Sequence, residues 1–511
     1  MSAELNRLFN DIWFLVFFVL LLSSLATHFI SKSSKLLNFL GRQERVKSKS
    51  ADTYKKLILV FILIYIIFFG TTSIIQHYAL NTHAEDLGMF TQVVWNTLHG
   101  NIAYTTLKHE CFFKEHFAPI YIIISPLYII FNTPVTLLVI QTIMLALMAL
   151  PVYYIANLKL KSPLAAFALS LSYLFCPHIH CANLFDFHQE VIEGFLILTA
   201  FYLILKSRIV MACILLALAF SCKEDVSLNV IPLALLLIFK EKKKIGIPLL
   251  IISVLYFVIA TKFIIPAFNS PGEGSVFFAV RYGWLGSNPF EIMKNSLLNP
   301  VKVIEHVLTL DKIAVVARML LPIAFMNLAN FWGIFLFILP LFANLLSSFQ
   351  PQYTLSAHYA VVIMPFVYLG AIYGANTLDF SFKSYKTKYR LWIFVIIASI
   401  LAAFAFAPHT FNMRKCKITP HKKLFYSFKK QIPEKAKLST QVDLLPHLAH
   451  REKVYLFPEI LDAEYVLIDT KGNVWPCSYE DYRKHVNKLM SNRKFKKVAE
   501  KDGYYLFKRN K

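Results

Sequence analysis

From about residue 11 to residue 408 the chain is a succession of long apolar runs broken by short polar turns. That pattern admits few folds. A run of about 20 apolar residues is the length at which a helix crosses a bilayer, and backbone in hydrocarbon must satisfy its own hydrogen bonds. Composition agrees, with 57% hydrophobic residues, 16% charged and a mean hydropathy of +0.54. The expectation is a mainly α, polytopic transmembrane bundle of about 12 spans with a small soluble domain at the C-terminal end.

Lysine and arginine orient the spans. The first run, about 11 to 30, lacks an A-x-A-like cleavage site and reads as a retained helix. After it, Lys32, Lys35, Arg42, Arg45, Lys47, Lys49, Lys55 and Lys56 face Glu44 and Asp52, so residues 1–56 form a helix and a basic cytoplasmic loop. A helix over about 57 to 76 then delivers a first outer loop, 77–118. Residues 119 to 131 are too short to cross alone. Later basic returns at Lys159 and Lys161, at Lys206 and Arg208, at Lys240 and Lys242 to Lys244, and at Lys383 to Arg390 keep the same alternation, with both termini outside. The transmembrane domain is thus 57–408, and a soluble extracytoplasmic domain occupies 409–511.

With this topology the ionisable residues of the turns fall mostly on the outer side, where a membrane protein needs a reason to keep them. The first outer loop holds His83, Glu85, Asp86, Lys108, His109, Glu110, Glu115 and His116. Leu87, Phe90, Val94 and Leu98 recur at helical spacing, with Gly100 as a stop, so a short helix capped by Asp86 is expected to lie flat on the membrane surface. Glu85 and Asp86 can act as a general base, hold a divalent cation through carboxylate oxygens, or simply cap and solvate that helix. His109, Glu110, Glu115 and His116 suggest a hydrogen-bonding or metal site, but they match no standard zinc spacing and fit a solvated loop better. Asp186, His188 and Glu190 alternate, so an extended backbone would point all three one way as a partial ligand set for Mg, Mn or Zn, or as an ordinary polar loop. Lys223, between Cys222 and the Glu224/Asp225 pair, suits a phosphate or its own acidic neighbours. Arg281 is a candidate phosphate clamp, and His358 beside Tyr359 suits a structural hydrogen bond or a substrate contact.

The last hundred residues change in character. AKLSTQ, KVYLF, AEYVLID and GYYLFK have strand character, while DLLPHLAHR and SYEDYRKHVNKLMSNRK read as helices, which gives a compact α/β layer. Residues 412–511 carry 23 Lys and Arg against 11 Asp and Glu. The whole chain is at +23, yet no basic stripe is interleaved with stacking aromatics, so nucleic acid is not an expected partner. The charge reads as cytoplasmic anchoring plus a basic domain near anionic lipid. Seven scattered cysteines without a CxxC give no metal or redox signature.

The segments DLGMFTQVVWNTLHGN, EHFAPIYIIISPLY, LLVIQTIMLALMALPVYYIA, DFHQE, KED, STQVDLLPHLAHR and AEYVLID together resemble the DUF2079 family of multi-pass membrane proteins. The resemblance runs from about residue 57 onward, leaving the 11–30 helix as an extra element. That family in turn resembles the GT-C class of glycosyltransferases, which use polyprenyl-phosphate sugars and keep an essential acid in the first outer loop. The resemblance implies a glycosyltransferase with Asp86 as that acid and Glu85 beside it. Lys108, His116, Lys223, Arg281 and His358 would bind substrate, and Asp186 and His188 would hold a metal if one is used. Implied partners are a polyprenyl-phosphate sugar donor, membrane lipid, and a glycan, lipid or protein acceptor. The implied setting is the plasma (inner) membrane, with the catalytic face and C-terminus extracytoplasmic.

The competing reading is a transporter or flippase for a lipid-linked or anionic solute. It predicts ionisable residues near mid-helix and paired broken helices in matching halves. A third reading, a non-catalytic scaffold presenting the C-terminal domain, leaves the clustering of carboxylates and histidines without a purpose.

Overall fold

The structure is a computed structural model and describes residues 3–33, 47–269, 276–381, 384–407 and 413–510. Lys35, Arg42, Glu44 and Arg45 of the basic segment, Lys383, and the 408/409 boundary lie outside the described residues. The second helix begins at Lys47 and runs to Tyr78, so Lys47 to Lys56 are helical and not part of a loop ending at 56. Asp52 and Lys56 pair across one turn of it at 2.8 Å, a spacing that a helix, not a loop, makes available.

Five helices are long and apolar enough to cross a membrane: Ile12–Ser31, Ala51–Tyr78, Val135–Leu160, Lys243–Ala267 and Lys386–Phe406. Pro163–Leu174 with Pro177–Asn183, bent by 45°, makes a sixth if taken as one span. The helices at Glu190–Leu205, Ile209–Phe220, Val226–Leu236, Leu310–Leu320, Phe331–Leu345 and Met364–Ser381 are shorter or less apolar. Length and composition therefore support five or six of the dozen spans expected. One continuous core, including Tyr121, Tyr173, Phe201, Phe366 and Tyr368, runs through the bundle. The N-terminal helix packs through Val16 and Val19 on Ala402 and Leu321, against the last apolar helix.

Polar contacts sort into two poles. At one, Lys159 and Tyr373 both bond to Glu241, Lys242 reaches Ser207, and Lys388 pairs with Asp379 at 2.9 Å. These are the basic segments expected to share a side. At the other pole lie His83, Asp86, Asp186, Lys223, Arg281 and His358. The consecutive helices Glu190–Leu205, Ile209–Phe220 and Val226–Leu236 each connect one set to the other and so alternate in direction.

The first outer loop differs from expectation. After His83, in extended backbone, a π turn Ala84–Gly88 runs directly into the helix Met89–Leu98. Asp86 sits inside the turn and caps nothing; its side chain is drawn to His188 instead. Gly100, at φ +95°, ends the helix as expected. Leu87, Phe90, Val93 and Val94 are buried, but so are Thr91, Gln92 and Asn96. The helix is therefore buried on its polar as well as its apolar side, with Trp95, Thr97 and Leu98 half-buried. Apolar exposure of the kind a membrane surface takes appears instead on Pro289–Leu298 and Pro300–Val307, through Met293, Leu297, Leu298, Val301 and Ile304. A hairpin, β1 (Tyr104–Thr105) and β2 (Glu110–Cys111), completes the loop.

The C-terminal domain is the α/β layer expected. Its strands β3 (Leu438–Thr440), β4 (Val454–Leu456), β5 (Tyr465–Asp469), β6 (Phe495–Lys501) and β7 (Tyr504–Arg509) stand in the order β4-β3-β5-β7-β6. β3 is parallel to β4 and β5, and β7 is antiparallel to β5 and β6. Strand β6 and the helix Pro420–Lys429 had no counterpart in the sequence reading. DLLPHLAHR forms a single 3-10 turn, Leu445–Leu448, because Pro446 and tight docking leave no length for a helix. That turn packs on the π turn holding Asp86: Ala84, Val442, Leu445, Ala449 and Val454 form one small core with Leu107. Gln92 donates to the carbonyls of Arg451 and Glu452, and Thr106 Oγ1 donates to the Val454 carbonyl at 2.6 Å. The domain and the first outer loop thus occupy the same pole.

Candidate active site at the acidic pole

Asp86 is placed by packing. Leu87 and Gly88 are buried on either side of its turn, and Phe90, one turn on, lies edge to face with His188 at 5.2 Å. The carboxylate meets His188 Nε2 at 3.2 Å, with 27% of the Asp86 side chain exposed and 7% of His188. The other imidazole nitrogen of His188 lies 3.0 Å from the Asp186 carbonyl, which fixes Nδ1–H as the donor and leaves Nε2 aimed at Asp86. Burial opposes ionisation of Asp86, yet the hydrogen bond and charge of His188 hold the carboxyl below its usual range. Burial likewise opposes charge on His188, and Asp86 raises its pKa above the usual value. Each group keeps the other charged.

A second pair stands alongside. The His83 amide donates to Asp186 Oδ2 at 2.7 Å, and His83 Nδ1 lies 3.3 Å from the same oxygen. Burial pushes the Asp186 carboxyl up, and its hydrogen bond raises His83. Glu85 is the more exposed of the two adjacent acids. Partial burial and the Asp86 charge place its carboxyl above the usual range.

From His188 a chain of contacts leads onward. Its ring stacks on His358 with centroids 3.5 Å apart. Burial and the nearby His188 push His358 far below the usual value, so it stays neutral. His358 packs on Tyr359, whose hydroxyl accepts from Arg281 at 3.2 Å, and Arg281 also donates to Gln352 at 2.9 Å. The Arg281 guanidinium lies over the rings of Phe349 and Tyr359. On the other flank, Lys223 pairs with Glu190 at 3.0 Å and Asp225 at 3.5 Å. Burial opposes its charge, but Asp225 and Glu190 hold the ammonium protonated. Glu224 accepts from the Phe117 amide at 3.0 Å and meets His116 Nδ1 at 2.9 Å, tying the first outer loop to the Lys223 turn.

The nine residues to which the family resemblance gives a role therefore share one pole. Asp86, Asp186, His188 and His358 form its centre, Arg281 and Lys223 flank it, and His116 is a strut to Glu224. Lys108 pairs with Glu115 at the rim, where its charge reaches Glu85. Tyr121 and Gln189 were not singled out. Tyr121 is fully buried and donates to Gln189 Oε1 at 2.6 Å, directly beside His188; its position in an apolar run concealed it, whereas Gln189 lies inside the DFHQE segment.

The alternating trio takes three different directions. Asp186 turns to His83, His188 to Asp86 and Glu190 to Lys223. The reason is local: residues 184–189 are irregular and Glu190 already begins a helix, so the period of two needed for a shared face is lost. Among the described residues no group of three or more His, Cys, Asp or Glu side chains converges to hold a metal ion. Asp186 and His188 face different partners and do not by themselves form a shared ligand set. What the arrangement can do is hold an ionised, partly open carboxylate within a network of histidines, with two cationic side chains on its flanks.

The sequence model for DUF2079, described as a predicted membrane protein, matches residues 76–506. No curated protein matches the chain. Among solved structures, ArnT from Cupriavidus metallidurans in the apo state is similar at 10% identity, over 89% of this chain and 98% of that one, with a TM-score of 0.49. The family match begins in the helix that delivers Asp86 and ends in the last strand of the domain that covers it, so the chain belongs to the DUF2079 family of predicted membrane proteins.

Proposed function

We propose that this protein is a membrane glycosyltransferase that moves a sugar from a polyprenyl-phosphate donor to an acceptor at the extracytoplasmic pole, with inversion and with Asp86 as general base. The observation that carries the reading is the state of Asp86: a carboxylate kept ionised by His188, 27% exposed, on a buried turn at the end of an apolar helix. A base must be charged, fixed and reachable, and those three conditions seldom coincide without a use.

In the proposed step, an acceptor hydroxyl or amine attacks the anomeric carbon and yields its proton to Asp86. The bond from that carbon to the phosphate oxygen breaks, and its electron pair leaves with the lipid phosphate. Arg281 and Lys223 are the cations placed to meet the departing anion. In the resting arrangement Lys223 balances Glu190 and Asp225, and Arg281 donates to Gln352 and Tyr359. Glu85, beside the base, and Lys108, at the rim, would orient the acceptor. About a dozen crossings, with this pole and the C-terminal domain outside the cytoplasm, complete the reading.

The test compares wild type with Asp86→Asn in membranes supplied with a radiolabelled polyprenyl-phosphate sugar. Transfer should fall roughly 10²–10⁴-fold, the usual share of a general base. Undiminished transfer removes Asp86 from this role. The carrier reading would have to use Glu193, which stands in the first turn of the helix Glu190–Leu205 and not near its middle, fully buried with neither carboxylate oxygen hydrogen-bonded among the described residues. Movement of label across sealed vesicles without transfer would establish that alternative.

A further inference from the structure

The pole opposite Asp86 carries a site that the transferase reading does not use. A cavity of 270 Å³ opens there, lined by Lys159, Lys240, Glu241, Asn330, Trp332, Tyr373, Asn376 and Thr377. Four segments far apart in the chain contribute to it.

Its polar groups fall into two classes. One class is spent on structure. Glu241 accepts from both Lys159 and Tyr373, and Asn330 donates to the Tyr373 carbonyl at 2.8 Å and to Thr377 at 2.7 Å while accepting from the Gly333 amide. The wall is therefore rigid, and the single acid in the lining is neutralised by Lys159. The other class is unspent. Among the described residues, the side chains of Lys240, Asn376 and Trp332 have no hydrogen-bond or ion-pair partner. With two lysines against one glutamate, the lining keeps one net positive charge and several donors, a set suited to an anion.

The rim identifies which anion. Phe239 and Phe331 stand 68% and 67% exposed. Trp332 packs between them, 6.2 Å from Phe239 and 5.4 Å from Phe331 by ring centroids, and Phe335 extends the patch. A soluble phosphate has no use for an aromatic margin of this size, whereas acyl chains do. Aromatic side chains bordering lysine at the end of apolar helices mark the depth at which headgroup meets hydrocarbon. The neighbouring Lys242, Lys243 and Lys244 place further positive charge at the same level, which draws acidic lipid to the surface. The cavity is smaller than pockets that take drug-sized ligands, and suits a compact phosphate-bearing headgroup.

We propose that this cavity seats the phosphate headgroup of an anionic phospholipid from the leaflet at the lysine-rich pole, with its acyl chains lying against Phe239, Phe331 and Phe335. Lys240, Asn376 and the Trp332 indole N–H contact the phosphate, and Lys159 lends its charge from the wall. The bound lipid adds a contact to the ends of four segments that already meet through Glu241, Asn330 and the Phe239–Trp332 ring pair, and so stabilises the bundle. This inference is independent of the transferase reading, since none of its residues belongs to the Asp86 pole.

The full-length protein in detergent is titrated with phosphatidylglycerol, with phosphatidylcholine of the same chains, and with glycerol phosphate, while thermal unfolding is followed. Phosphatidylglycerol should raise the melting temperature above that reached with phosphatidylcholine, and glycerol phosphate should not. Lys240→Gln should weaken the apparent affinity for phosphatidylglycerol roughly fivefold, the effect of removing one lysine from a lipid surface. Trp332→Ala should weaken both lipids. Lys240 is exposed and bonded to no described side chain, so its variant retains the fold; Asn376→Leu gives an independent second reading of the same contact. Equal stabilisation by both lipids, or a phosphatidylglycerol effect that survives both Lys240→Gln and Asn376→Leu, overturns the proposal. Stabilisation by glycerol phosphate alone, equal to that of the lipid, overturns it in favour of a soluble phosphate.

Discussion

At the scale of single residues, the pairing of Asp86 with His188 makes a pH dependence that can be worked out by sign. The Asp86 carboxyl lies below its usual value in the folded protein, so its contribution is present above about pH 4 and is lost as pH falls through the lowered value. His188 lies above its usual value, so its contribution is complete below about pH 6.5 and is lost as pH rises through the raised one. Between those limits the pair is fully charged. A pH–rate profile of transfer should therefore show an acid limb below the ordinary aspartate value in wild type. In His188→Gln that limb should move upward, since glutamine supplies a hydrogen bond without the charge. A limb that stays in place would separate His188 from the function of Asp86. The residue types of this pair are plain in the sequence, since an acid in the first outer loop and DFHQE both stand out among apolar neighbours. Their partnership is not, because 102 positions separate them and local alternation pointed His188 toward Asp186 and Glu190.

Helices and turns were legible where hydrophobicity has a period, and illegible where a third body decides. The Met89–Leu98 helix has the apolar spacing expected and ends at Gly100 as expected. Its polar face, however, is covered by a domain that begins more than three hundred residues later, through Gln92 and Thr106, and no local pattern contains that information. Close backbone approach is likewise invisible in hydropathy. The helix Met364–Ser381 meets the 3-10 turn Met326–Ala329 at Gly374, where an added Cβ would stand 1.9 Å from the Met326 carbonyl oxygen and 2.7 Å from its carbon. That turn cannot retreat, because Asn327 Nδ2 donates to the Val367 carbonyl at 2.8 Å and to Gly333 at 3.3 Å. Gly374→Ala should cost about 3 kcal/mol by overpacking. Gly70→Ala should be near neutral, since its Cβ would meet Thr142 at an ordinary 3.7 Å and alanine favours the helix. Thermal unfolding of the two purified variants distinguishes them, and equal melting temperatures would show that the helix and turn are not in contact.

For the molecule as a whole, charge placement in the sequence carried further than length did. Runs of lysine assigned Lys159, Lys240 and Lys242 to one side, and the structure brings them together around Glu241 and Ser207. Length alone supports five or six crossings. The difference comes from short helices such as Ile209–Phe220, 12 residues long, which rise about 18 Å and need neighbours or a thinned bilayer to span. Segregation of polar contacts is the stronger constraint, because a helix joining Ser207 at one pole to Lys223 at the other connects the two sets whatever its length. It makes a direct expectation for labelling. In a background with the seven cysteines replaced by serine, Glu85→Cys and Lys240→Cys place single thiols at exposed positions of opposite poles. A membrane-impermeant maleimide applied to sealed vesicles of one orientation should modify one and spare the other. Glu459→Cys, whose native carboxylate meets His109 at 2.8 Å, should follow Glu85→Cys, because the C-terminal domain shares a core with the first outer loop. Labelling of Glu85→Cys and Lys240→Cys from the same side would break the alternation. It would also remove the one-sided gathering of acid, histidine and cation on which a role for Asp86 depends.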